Sequence, residues 1–161
     1  MEEYFGENKT GCCPEFIPSA LDGKTVELKK RKFIKGHITS VFHIPLNFGS
    51  VMGKLCKAAM DAKAVPKQPL WLSDEKSMWG SEVYFAVEKE VPGIENVELS
   101  GTFLTKVFEG EYKEVRNWVK QMQEYAKGKK KEIRKMYFFY TSCPKCAKAY
   151  GKNYVVIFAQ V

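Results

Sequence analysis

The chain has 161 residues, 45% hydrophobic, 28% charged and 14% aromatic, with a formal net charge of +7. That length suits one domain or two small halves sharing a core, and no apolar run approaches the ~20 residues of a membrane span. The polar, acidic start MEEYFGENKTG lacks the basic flank and apolar stretch of a signal peptide, so a cytoplasmic protein is expected.

The positive charge invites a nucleic-acid partner. The basic residues are dispersed, however. Their densest clusters, Lys29 to Lys32 and Lys127 to Lys135, fall near expected turns and helix ends. A solvated basic surface is expected, with no nucleic-acid and no membrane partner. The five cysteines are Cys12, Cys13, Cys56, Cys143 and Cys146. An odd count without an export signal argues for reduced thiols.

Residues 1–32 read as an irregular N-terminal arm that includes GCCPEFIPS. From Phe33, FIKGHITSVFHIP is β-branched and aromatic, and Pro45 closes it as a strand. NFGSVMGKLCKAAMDAK follows, with Phe48, Met52, Leu55 and Ala59 at helical spacing. Gly49 and Gly53 within it suggest close packing against a neighbour. Pro66 and Pro69 break the chain. PLWLSD and SEVYFAVEKEV then read as two strands separated by a turn-like DEKS.

The second half repeats the plan. VELSGTFLTKVFEG is a strand. EYKEVRNWVKQMQEYAKG is a helix with Val115, Trp118, Met122 and Ala126 on one face and Gly128 as its stop. KMYFFYTS and NYVVIFAQV are strands on either side of the loop CPKCAKAYGK. The order β-α-β-β therefore occurs twice, as pseudo-repeats 33–92 and 97–161 of one domain, 33–161. The expected fold is α+β, an antiparallel sheet with two helices on one face and a groove between them.

Such a groove would be a concave ligand site framed by apolar side chains. Aromatic residues that could line it are Phe42, Trp71, Trp79, Tyr84 and Phe103 from the earlier elements, and Tyr112, Trp118, Tyr137, Phe139 and Tyr154 from the later ones. Stacked rings suit planar ligands and attract cations. Packing of the same rings in a core is the alternative. Glu82 is the acid of most interest. In period-two alternation Glu82, Tyr84 and Ala86 share one strand face, and Val83, Phe85 and Val87 the other. A carboxylate beside aromatic rings could pair with a cationic ligand, or act as a general acid or base if desolvated.

His37 and His43 fall on one face of the first strand without an acid cluster beside them, and read as core or surface residues. CPKC could hold a metal, act in redox chemistry or connect two strands. Adjacent Cys12 and Cys13 are a poor pair for one ion, and a strand is expected soon after the motif. A connecting loop, with no metal and no cofactor, is therefore expected.

The duplicated plan, with Phe108-Glu109-Gly110-Glu111-Tyr112 leading into the second helix, resembles the GyrI-like small-molecule-binding superfamily over about residues 33–161. The segments CCPEFIPS, LSGTFLTKVFEGEYK and YFFYTSCPKCAKAYGKNYVV are similar to those of a stand-alone bacterial subgroup. The resemblance implies a pocket for bulky, planar, often cationic aromatic compounds, with a glutamate in it. It also implies hydrolysis of cyclopropane-bearing genotoxins as the alternative activity. For that reaction Glu82 would act with Tyr137 or Tyr154. The last strand, where many effector-binding domains carry their glutamate, has no acid here, so Glu82 is the residue carried over. With no helix-turn-helix ahead of the domain, a DNA-binding regulator is not expected; a homodimer or a protein partner is.

Overall fold

A computed structural model gives an antiparallel, β-rich fold with three helices among the described residues. It describes every residue except Met1, Glu2, Cys12, His43, Met78, Ser142 and Cys143, and, within helices and strands, except the side chains of Ile44, Pro45, Lys76, Ser77, Tyr112, Pro144 and Lys145. The elements are β1 (Lys24–Val41), β2 (Ile44–Pro45), α1 (Phe48–Asp61), β3 (Trp71–Ser77), β4 (Gly80–Ala86), β5 (Glu95–Glu109), α2 (Val115–Gly128), β6 (Lys135–Tyr140), α3 (Pro144–Tyr150) and β7 (Tyr154–Gln160). The chain divides into two compact units, Leu28–Ser100 and a second made of Met1–Glu27 with Gly101–Val161.

In the unit Leu28–Ser100, β4 pairs antiparallel with β1 on one side and with β3 on the other. Ile34 and Ile38 of β1, and Val83 and Phe85 of β4, share a core with Leu55 and Ala59 of α1. Gly36 lies between the two isoleucines on that face. A Cβ there would sit 2.7 Å from Val51 Cγ1, so glycine allows α1 to approach the strand.

The other unit repeats this pairing. Its last strand, β7, is hydrogen-bonded to β5 and to β6. The amphipathic spacing of α2 brings Trp118, Met122 and Ala126 onto Leu104, Phe138, Val155 and Ile157. Burial of such faces, worth roughly 1.5–3 kcal/mol per large apolar side chain, is what fixes the helix on its sheet.

Three expectations are corrected. CPKCAKAYGK is not a loop throughout: Pro144–Tyr150 is helical. DEKS is not a turn but falls within Trp71–Ser77, so β3 runs through it. One sheet carrying two helices on one face gives way to a two-unit description with a third helix. The first strand also begins at Lys24 rather than Phe33. The segment before it is ordered against its own unit by a Phe5–Phe16 bridge and by edge-on contacts of Tyr4, Phe5 and Phe16 with Phe139.

Candidate functional site

The face of β1, β4 and β3 that turns away from α1 carries two cross-strand rows. One is His37–Glu82–Asp74 and the next is Lys35–Tyr84–Leu72. As the alternation predicts, Glu82 and Tyr84 share this face, while Val83 and Phe85 point to the helix. Leu72, Tyr84 and Asp74 are buried, and Phe33 meets the Tyr84 ring edge-on at 6.3 Å. The side chain of Glu82 is 35% exposed, which leaves it open to a solute while its neighbours are packed.

Each oxygen of Glu82 faces a different nitrogen. Lys35 Nζ stands 3.5 Å from Oε2, and His37 Nδ1 stands 3.6 Å from Oε1. Lys35 also lies 3.6 Å from Glu95 and 5.9 Å from the centre of the Tyr84 ring. Burial of the ammonium works to lower its pKa, but Glu82, Tyr84 and Glu95 outweigh it and hold the pKa above the ordinary 10.5. Lys35 is therefore a fixed cation beside the carboxylate. Gly80, on the same face as Glu82, leaves room for the imidazole: a Cβ there would lie 2.9 Å from His37 Cε1.

The remaining sequence-predicted residues are dispersed. Trp71 packs with the α1 core, on the face opposite Glu82. Phe42 and Trp79 form an exposed pair, ring centres 5.2 Å apart, at the end of the strands that carry the site. Phe103, Trp118, Tyr137, Phe139 and Tyr154 belong to the other unit. There Trp118 stacks on Phe108, Phe103 contacts Tyr137, Phe139 is fully buried, and half-buried Tyr154 packs on Phe16. The side chain of Tyr112, like His43, lies outside the described residues. A separate cleft of about 250 Å³, lined by Lys32, Glu90, Asn96, Val97 and Glu98, has no aromatic wall.

Lys35, Asp74 and Glu95 were not singled out from sequence, and His37 was read as structural. The usable signal was the β1–β4 register, which sets His37 against Glu82. Reading DEKS as a turn hid Asp74, whose strand position puts it opposite Glu82.

The family model for bacterial hydrolases matches residues 4–161, and the chain belongs to that family. Among curated proteins no match was found. Of the solved structures, an uncharacterized conserved protein from Listeria innocua is similar with a TM-score of 0.59 and 12% identity, covering 86% of this chain and 91% of that one. A hydrolase from Listeria innocua is similar with a TM-score of 0.58 and 11% identity, covering 87% and 91%. At these identities the likeness establishes the fold. A third structure, of a protein bound to tetraphenylphosphonium, has a TM-score of 0.48 at 12% identity, covering 86% and 92%, which is too low to bear on this chain. Among the described residues no helix is long and apolar enough to cross a membrane.

Proposed function

We propose that the chain is a small-molecule hydrolase in which Glu82 is the general base or acid. The observation that carries this reading is the partly exposed carboxylate held between Lys35 and His37 on a face otherwise made of packed side chains. Membership of the bacterial hydrolase family supports it. The substrate class we propose is a bulky, planar aromatic compound bearing a strained, electrophilic cyclopropane, as the GyrI-like resemblance implies. Glu82 takes a proton from water as the water oxygen bonds to a ring carbon. The strained carbon–carbon bond breaks, and the carbon side that receives its electron pair takes up a proton. One water is thereby added across the broken bond. Lys35 keeps the carboxylate ionised and oriented, and Tyr84 supplies an apolar wall with a polar tip.

Sequestration without chemistry is the second reading, favoured by the exposed Phe42–Trp79 pair, whose ring faces suit a planar ligand. Glu82→Gln separates the two. Hydrolysis predicts that turnover of a reactive cyclopropane falls by about 10²–10⁴-fold while binding of a planar dye persists. Wild-type protein that binds such compounds but turns none over leaves sequestration. Wild-type protein that does neither overturns both.

A further inference from the structure

The two cysteine-bearing segments of the second unit meet. Thr10 Oγ1 lies 3.3 Å from Cys146 Sγ of α3 and accepts a 3.2 Å hydrogen bond from the Cys13 N–H. Tyr150, at the other end of α3, donates from its hydroxyl to the Cys13 carbonyl at 2.7 Å and accepts from the Lys9 N–H at 3.2 Å. One turn of the N-terminal segment is thus fastened to the helix at both ends, and a single hydroxyl touches both Cys13 and Cys146. Gly11, with φ +76°, turns the chain between them, and its N–H is held by Asn8 Oδ1 at 2.8 Å.

Four of the five cysteines fall in these segments. Cys12 precedes Cys13, and Cys143 stands three residues before Cys146; both lie outside the described residues. The fifth, Cys56, is on α1 in the other unit. We propose that Cys13 and Cys146, together with Cys143, Cys12 or both, form a thiolate site for a soft divalent metal ion of the zinc class.

The objection from sequence was that the supply of ligands is scattered and the adjacent pair awkward. The fold removes the first part. A C-x-x-C and a second thiol-bearing turn, far apart in sequence, are brought to one place, which is the arrangement structural zinc sites use. Among the described residues no three metal-ligating side chains group together, so the third ligand must come from Cys12 or Cys143. The Thr10 hydroxyl is placed to donate to the Cys146 sulfur once that sulfur is a thiolate, as an outer-shell group does. The ion would tie the turn to α3 and so secure the segment that places Tyr4, Phe5 and Phe16 on Phe139.

The test needs no substrate. The full chain, purified under reducing conditions without chelator, is expected to carry about one zinc per chain by elemental analysis. Cobalt(II) exchange should give a sulfur-to-metal charge-transfer band whose intensity counts the thiolates. Cys146→Ser and Cys13→Ser should each lower metal content at least about tenfold, and Cys56→Ser should keep it. Should Cys146→Ser fail to fold, half-buried Cys13→Ser and the wild-type cobalt spectrum decide the matter. The proposal is overturned if the wild type takes up no zinc in equilibrium dialysis, or if both variants retain wild-type metal. It is equally overturned if non-reducing mass analysis finds these cysteines joined as a disulfide in protein kept under cytosol-like reducing conditions.

Discussion

Glu82 is held so that a change at either neighbouring cation can be read separately. Lys35→Met should leave Oε2 without its partner and lower stability at pH 8 by about 1 kcal/mol or less, because the pair is partly exposed. The sign of the pH dependence follows from the raised pKa. Stability contributed by the Lys35 charge is fully present below the ordinary 10.5 and is lost as pH rises through the higher folded value. Denaturant midpoints of wild type and Lys35→Met should therefore converge above that range. A gap that persists unchanged at high pH would show that the lost stability is packing of the aliphatic stem. Gly80→Ala must push the His37 ring aside, since its Cβ would lie 2.9 Å from Cε1 and 3.1 Å from the Ile38 carbonyl. The expected outcome is a shifted His37 ring signal in NMR; an unchanged imidazole environment would count against the notch. At this scale the sequence was informative about Glu82 and Tyr84, because period-two alternation is local. It was silent about Lys35 and Glu95, because their proximity to Glu82 depends on strand register and on a strand that starts more than ten residues later.

At the scale of elements, two contacts carry the helices. Gly36→Ala would place a methyl 2.7 Å from Val51 Cγ1 and 3.2 Å from Leu55 Cδ1. Overpacking of this kind costs roughly 1–3 kcal/mol, so the midpoint of unfolding should fall. In the other unit Trp118→Ala removes the ring stacked on Phe108 and should cost about 3–5 kcal/mol by the same measurement. Both long helices were legible because their apolar residues recur at 3–4 residue spacing. α3 was not. It has seven residues, too few for a periodic pattern, and its start is marked only by Pro144, a residue equally at home in a turn. The run through DEKS failed for the opposite reason. Its polar residues resemble a turn, yet the paired register with β4 keeps Asp74 in the strand and buried.

For the whole molecule, charge is the property that needs no fold to read. A +7 chain with dispersed lysines should adhere weakly and without sequence preference to DNA. Retention on a DNA column is expected to vanish by about 0.15–0.2 M salt, and a tight, sequence-selective shift at that salt would contradict the reading. The repeated strand pairing, with the last strand of each unit hydrogen-bonded to the other two, was visible in element order although residue matches between the halves are few. Element order survives divergence because each β-α-β-β segment must cover one sheet face with one helix, whatever the particular side chains. The aromatic content was a weaker guide. Rings that fill a core and rings that line a cavity have the same composition, and only burial separates Phe139 from Trp79.

Trp79 has a further use. Of the three tryptophans, Trp118 is buried and Trp71 is packed beside α1, while Trp79 is 56% exposed one residue before the strand that carries Glu82. The protein thus carries its own optical probe next to the proposed site. An absorbing planar compound that settles there should quench the long-wavelength edge of the emission before the blue edge, and a Trp79→Phe chain should lose that edge. Unlabelled protein could then be screened against compound collections by emission colour alone.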